Sequence, residues 1–240
     1  MDKGIDGVTA LGFGLQEYIK MFALTEDELN MRILDYRAGA SCFAADMYAQ
    51  GKQVVACDPL YQKPLSEIMK LVAQAADSLK DSFKQDAQEF SVLPDKAEAF
   101  MEIIQLGTVR FFEDFPKGLA EQRYTTDQMP KLSFKDEAFN LALVCHYLFT
   151  FSDQLTVSYH YEAIKELVRV ANEVRIFPLV TTAGKLSPHV GEVVAKLQSQ
   201  SYGVEIRGVE YELQNQGNAM LRVWAPQCQL SAHQAFKSQK

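Results

Sequence analysis

A surplus of positive charge, paired cysteines and long apolar runs are all missing from this chain of 240 residues. Lysine and arginine number 24 against 31 acids, a net charge of −7. Without a broad positive field, nucleic acid is a poor partner. Cys42, Cys57, Cys145 and Cys228 lie far apart with no CxxC pair. That spacing suggests small buried thiols in a reducing compartment rather than a disulfide or zinc framework, with no metal site expected. No stretch approaches the ~20 apolar residues that span a bilayer. The opening "MDKGIDGVTALGFGLQEYIK" lacks the basic start and long apolar run of a signal peptide. A soluble, cytoplasmic chain with no membrane partner is the expectation. The run "GKLS" at Gly184–Ser187 lacks the upstream glycine of a phosphate-binding loop, and neither GxSxG nor GxGxxG occurs. Hydrolase, phosphoryl-transfer and nicotinamide-dehydrogenase readings lose their support with them.

What is present is an apolar content of 48%, enough to bury a substantial core in one domain with an insertion. Short apolar runs alternate with helical patterns, as in a mostly parallel α/β sheet. The runs predict strands near Arg32–Tyr36, Gln53–Asp58, Arg123–Asp127, Asn140–Cys145, Val174–Pro178, Val204–Val209 and Ala219–Trp224. Val157, Tyr161, Ile164, Val168 and Ala171 recur at three- and four-residue steps, which predicts a helix joining the fourth strand to the fifth. Ser187 and Pro188 read as an N-cap and first helical position ahead of the stripe Val190, Val193, Val194 and Leu197. The residues about 64–119 exceed what one crossover needs, and their apolar spacing predicts a helical insertion that either packs on the body or caps a substrate. Near the end, Gln216-Gly217-Asn218 joins two β-rich runs as a hairpin, so the last strand is expected to be antiparallel. The domain is taken as residues 1–226, with 227–240 a tail.

Chemistry gathers in "ILDYRAGASCFAADMYAQGKQVVACD", Ile33 to Asp58. It reads as strand, loop, helix, turn and strand. Gly39 and Ser41 let the loop approach a ligand, while Asp58, ending the second strand, is placed to accept hydrogen bonds from ribose hydroxyls. Alone this signal is weak, because Asp58-Pro59 also suits a simple turn. It gains specificity from "VVACDPLY", "RYTTDQMPKLSFKDEAFNLALVCHYLFTFSD" and "VRIFPLVTTAGKLSPH", which follow in order.

Together these segments resemble class I S-adenosylmethionine-dependent methyltransferases, and a bacterial branch with LDxGAGxSxF-like, DPLY and SHLLF-like motifs, over most of the chain from Gln16 to Trp224. The resemblance implies a Rossmann-like sheet of seven strands, mostly parallel, ordered 3-2-1-4-5-7-6. It implies S-adenosylmethionine as cofactor, with Asp35, Arg37, Gly39 and Ser41 at its methionine part, Asp58 at its ribose, and Asp127 and Gln128 near its adenine. His146 would face the methyl end as the candidate catalytic group, with Tyr61, Tyr147 and His189 as candidates for the pocket of a small-molecule acceptor. His160 reads as a structural histidine.

Arg37 departs from the pattern, standing where the loop's first glycine belongs. Its side chain either fills the methionine space, points outward, or pairs with the cofactor's carboxylate. The expectation is a functioning methyltransferase with a small or medium-sized acceptor. The alternative is a catalytically inactive binding or interaction protein on the same fold, with a degenerate cofactor loop.

Overall fold

The computed structural model describes residues 10–85 and 94–226. Expectations about the tail 227–240, and about Cys228 within it, lie outside the described residues.

Seven strands form one sheet: β1 (Ile33–Tyr36), β2 (Val54–Cys57), β3 (Tyr124–Thr125), β4 (Phe139–Cys145), β5 (Ala171–Phe177), β6 (Gly203–Gly208) and β7 (Ala219–Trp224). Their order is β3-β2-β1-β4-β5-β7-β6. β7 runs antiparallel to both β5 and β6, and the other pairs are parallel. This is the doubly wound arrangement that the alternating runs predict. β1 is buried along its whole length, as a central parallel strand must be. Its register places Ile33 beside Val54 on one side and Leu141 on the other.

Alternate β1 residues feed two cores. Ile33 belongs to one cluster, packed beneath α1 (Leu15–Phe22), α3 (Phe43–Ala49), α4 (Leu65–Gln85) and α5 (Pro94–Ala120). Leu34 and Tyr36 belong to the other, beneath α6 (Val157–Val170) and α7 (Val190–Ser199). Each fully buried Leu, Ile or Phe contributes about 1.5–3 kcal/mol relative to exposure. A short helix α2 (Glu26–Leu29) follows α1, started by Thr25, whose Oγ1 accepts from Glu28 N at 3.3 Å while the Glu28 carboxylate accepts from Thr25 N at 2.8 Å.

Three boundaries differ from the sequence expectation, each for a local reason. β3 is two residues long, because only Tyr124 and Thr125 pair with β2. α6 stops at Val170, and Ala171 is already extended, with φ −134° and ψ 148°, so the helix runs into β5 without a loop. α7 begins at Val190: Ser187 Oγ accepts from His189 N at 3.2 Å, closing a turn through Pro188 before the helix starts. The link between β6 and β7 is also longer than a tight turn, since its outermost pairing joins Val209 N to Asn218 O at 2.8 Å.

Between β2 and β3 lie α4 and α5. Phe111 and Phe115 of α5 pack against Tyr61 and Tyr124 at centroid distances of 5.2–6.1 Å, which fixes the helix on the β1–β3 side. Residues 10–14 run between α5 and the loop after β1. Gly12 and Gly107 meet there backbone to backbone: a Cβ on Gly107 would lie 1.9 Å from Gly12 O.

Candidate functional site

In an open parallel sheet, ligands gather beyond the carboxyl ends of the strands, at the point where strand order reverses. Here that point lies between β1 and β4, and the loop after β1 brings most of the predicted residues to it. Asp35 and Asp58 are both 0% exposed. Asp35 Oδ2 accepts from Tyr18 of α1 at 3.0 Å and from Ser41 Oγ at 3.5 Å, whereas its Oδ1 has no hydrogen-bond partner among the described residues. Burial pushes the Asp35 carboxyl up to about 7; the Tyr18 and Ser41 hydroxyls oppose that rise and the nearby Asp58 adds to it.

Asp58 has more company. Its Oδ1 accepts from Leu60 N at 2.8 Å, capping the turn Pro59–Gln62, and its Oδ2 accepts from Gly39 N at 3.0 Å. Arg37 Nη1 lies 3.6 Å from Oδ1. Burial raises the Asp58 pKa, while Arg37 and the two backbone N–H groups act against the rise.

Arg37 therefore points inward. It is 4% exposed, its guanidinium lies over the Tyr147 ring at 4.6 Å, and its φ is +62°. The backbone thus keeps the left-handed conformation that favours glycine while carrying an arginine, at a cost of roughly 1–2 kcal/mol. Of the three orientations that the sequence leaves open, the outward one is absent, and the guanidinium faces the acid expected to hold a ribose. Gly39 is also used internally. With φ +55°, it lies so close to the N-terminal segment that a Cβ would meet Ala10 O at 2.6 Å, and Ala40 N donates to Ala10 O at 2.9 Å.

The remaining candidates divide. Tyr61 is buried, donates to Gly39 O at 2.8 Å and supports the loop from below. Tyr147 is buried too, and its hydroxyl pairs with that of Tyr159 at 2.7 Å. Asp127 is half-buried and holds its own loop, with Oδ1 accepting from Ser133 N at 2.6 Å, while Gln128 is exposed. His189 meets His160 edge-on at 5.2 Å. The His160 ring nitrogens lie 2.8 and 2.9 Å from Thr156 O and Leu148 O, so the neutral ring donates to one of the two carbonyls.

His146 follows β4 directly, with φ +47°. Its N–H donates to Phe177 O at 2.7 Å, and its ring stacks on Phe13 at 5.0 Å and meets Phe177 edge-on at 5.5 Å. Burial pushes its pKa down to about 4, so the ring is neutral at neutral pH. Cys145 Sγ lies 3.1 Å from His146 Nδ1 and 3.6 Å from Met21 Sδ. Burial keeps that thiol protonated; where it donates to Nδ1, the better acceptor of its two neighbours, the ring proton resides on Nε2. In that tautomer His146 is a hydrogen-bond donor on the side away from Cys145.

Sequence reasoning passed over Phe13, Tyr18 and Tyr211. Tyr18 had a helical apolar neighbourhood as its only signal; nothing in the sequence brings Phe13 or Tyr211 to the ends of β4 and β5.

No family model matches the chain. The uncharacterized protein MJ0045 of Methanocaldococcus jannaschii is 30% identical over 217 residues, which cover 88% of this chain and 93% of that protein. The chain belongs to the family of MJ0045. That relative is archaeal, so this family membership lends no support to a bacterial branch. Among solved structures, a SAM-dependent methyltransferase from Aquifex aeolicus covers 87% of the chain and 92% of its own length at 16% identity and a TM-score of 0.42. One from Methanosarcina mazei covers 88% and 98% at 13% identity and 0.43, and the PH0226 protein of Pyrococcus horikoshii covers 88% and 90% at 12% identity and 0.43. At such identities and scores these likenesses say nothing about reacting residues. For this member of the MJ0045 family, the site has to be argued from its own side chains. Among the described residues, no group of three or more His, Cys, Asp or Glu is arranged to hold a metal ion, and no helix is long and apolar enough to cross a membrane.

Proposed function

We propose that the chain is an S-adenosylmethionine-dependent methyltransferase acting on a small or medium-sized acceptor. The observation that carries this reading is the meeting of Asp35, the loop 37–41 and Asp58 at the switch point of the sheet, with one buried oxygen of Asp35 left without a partner among the described residues. A buried acceptor left unmade costs about 1–3 kcal/mol, and an ammonium group suits it. The fit is therefore good at Asp35, which would hold the amino group of the cofactor. At Asp58 it is conditional, because the acid can hold a ribose diol only when Arg37 gives way. Asp127 and Gln128 remain the candidates for the adenine.

When bound, S-adenosylmethionine supplies a methyl group made electrophilic by its sulfonium. The chain's share is alignment and exclusion of water. Tyr18 and Ser41 fix the Asp35 carboxylate. Neutral His146 is too weak a base to take a proton from an alcohol, and as an Nε2 donor it orients the acceptor instead.

One observation favours a second reading, a non-catalytic protein on this fold: the buried Arg37–Asp58 pair stands in place of the ligand contact. Calorimetric titration of the full chain with S-adenosylmethionine and its demethylated product separates the two. Binding by the natural chain, weakened when Asp58 is replaced by Ala, supports the methyltransferase. Binding only after Arg37→Gly supports the second reading, and no binding by either protein, both verified as folded, sinks the cofactor assignment.

A further inference from the structure

The ends of β4 and β5 hold a second set of polar groups that the cofactor reading does not use. Tyr211, in the link between β6 and β7, packs edge-on against Phe13 at 6.2 Å and Phe177 at 6.0 Å. These are the same two rings that hold His146. The Tyr211 hydroxyl is buried and has no hydrogen-bond partner among the described residues, and burial keeps its proton in place. His146 is half-buried, and its ring Nδ1 is taken up by the Cys145 thiol. Two neutral donors thus stand around one pair of phenyl rings, each without a partner of its own among the described residues.

An unpaired hydroxyl in such a place is costly. A site built to hydrogen-bond a ligand atom recovers that cost, and it rejects analogues that lack the atom. The surroundings define the ligand further. Glu17 acts electrostatically on the Tyr211 hydroxyl, and its carboxylate already accepts from Gly14 N at 2.9 Å. A charged ring entering between these aromatic walls loses hydration that two neutral groups replace only in part. Aromatic walls add dispersion and edge-to-face contact for a flat ring.

We infer that Tyr211 Oη and His146 Nε2 form a two-point hydrogen-bonding site for an uncharged planar ring that carries an exposed acceptor atom, such as a carbonyl oxygen. Resting on the methyltransferase reading, this ring is the methyl acceptor; the binding site itself does not need that reading.

The test uses one ring in three charge states. Benzamide, benzoate and benzylamine are titrated into the full chain without cofactor and followed by saturation-transfer NMR. Benzamide should bind more tightly than both charged analogues. Tyr211→Phe should weaken benzamide about tenfold, the loss of one hydrogen bond of the upper ordinary size, while the urea midpoint stays level or rises, because the variant removes an unpaired buried hydroxyl. A purely structural Tyr211 gives the reverse pattern, a lower midpoint with unchanged affinity. His146→Phe, which keeps a ring against Phe13, should weaken benzamide similarly. No benzamide binding up to about 10 mM, a limit already weaker than ordinary ligand affinities, overturns the inference, as does tighter binding of either charged analogue or an unchanged affinity in Tyr211→Phe. A chain that binds benzamide in this way but no S-adenosylmethionine keeps this site and loses the methyltransferase reading. One that binds the cofactor but not benzamide does the opposite.

Discussion

Replacing Arg37 by Gly sets two opposed effects against each other. The arginine holds a backbone conformation with φ +62° that glycine adopts freely, so the variant recovers roughly 1–2 kcal/mol of strain. It also removes the guanidinium that stands 3.6 Å from the fully buried Asp58. Breaking a buried pair from one side costs about 3–5 kcal/mol. The difference is a net destabilisation of roughly 1–4 kcal/mol, toward the lower end because Asp58 keeps its bonds from Leu60 N and Gly39 N. The same change frees Asp58 for a ribose. In the natural chain a ligand must first displace Arg37, so the variant should bind S-adenosylmethionine at least about tenfold more tightly, equivalent to ~1.4 kcal/mol. Urea denaturation of both proteins, with and without the cofactor, reads both effects together, since a ligand at a hundred times its Kd adds about 2.7 kcal/mol of stability. The unliganded variant should have the lower midpoint and the larger gain on adding cofactor. A natural chain that gains as much as the variant would show that Arg37 does not compete for Asp58, and an unliganded variant more stable than the natural chain would show that the pair contributes less than the strain it imposes.

Gly107→Ala should destabilise the protein by about 1–3 kcal/mol in thermal or urea unfolding, although alanine gains ~1 kcal/mol inside a helix; the sign follows from the 1.9 Å approach of a Cβ to Gly12 O, and a stabilised variant would disprove that packing. Arg175 of β5 is buried, donates to Phe22 O at 2.8 Å and Glu173 at 2.6 Å, and pairs with Glu28 of α2. Arg175→Met should cost about 3–5 kcal/mol, and a loss below about 1 kcal/mol, the scale of an exposed pair, would demote the network. Asp35, raised to about 7 in the folded chain, keeps its proton while the unfolded chain releases it, so its contribution to stability is present below the ordinary carboxylate pKa and is lost as pH rises toward 7. Glu28, Glu166 and Glu173 are held low, chiefly by Arg175, Arg169 and Arg222 against the pull of burial, and act the other way, with stability lost as pH falls below the carboxylate range. Asp35→Asn should abolish the fall between about pH 4 and 7 and leave the acid limb intact; a stability profile unaltered by that change would contradict the assignment.

The sheet was legible because its evidence is local. Each strand is an apolar run a few residues long bounded by polar or turn-forming residues, and periodicity reports that directly. The places where reading failed are those where local pattern continues past the physical boundary. Ala171 extends the helical stripe of Ile164 and Val168, and no glycine or proline marks the end of α6, so only pairing with β4 decides that Ala171 is strand. The candidate site was legible in the same uneven way. Asp35 and Asp58 announce themselves as acids near the ends of adjacent strands, whereas the state of each depends on side chains from distant parts of the chain: Tyr18 on one acid and Arg37 on the other.

Glycine shows the limit most clearly. In sequence, Gly39 reads as room for a ligand and Arg37 as the loss of such room. In the folded chain Gly39 makes room for Ala10, and Arg37 keeps a glycine's backbone angles while its side chain turns toward Asp58. A loop can thus preserve the dihedral path of a ligand-binding turn after one of its residues has changed, because the path is held by neighbours: Arg37 N and Ala38 N both donate to Cys57 O, at 2.7 and 3.4 Å. Whether the turn still serves a ligand then depends on the side chain alone. The decisive comparison is the competition between a ribose and the Arg37 guanidinium for the Asp58 carboxylate, an energy difference of a few kcal/mol that no motif encodes.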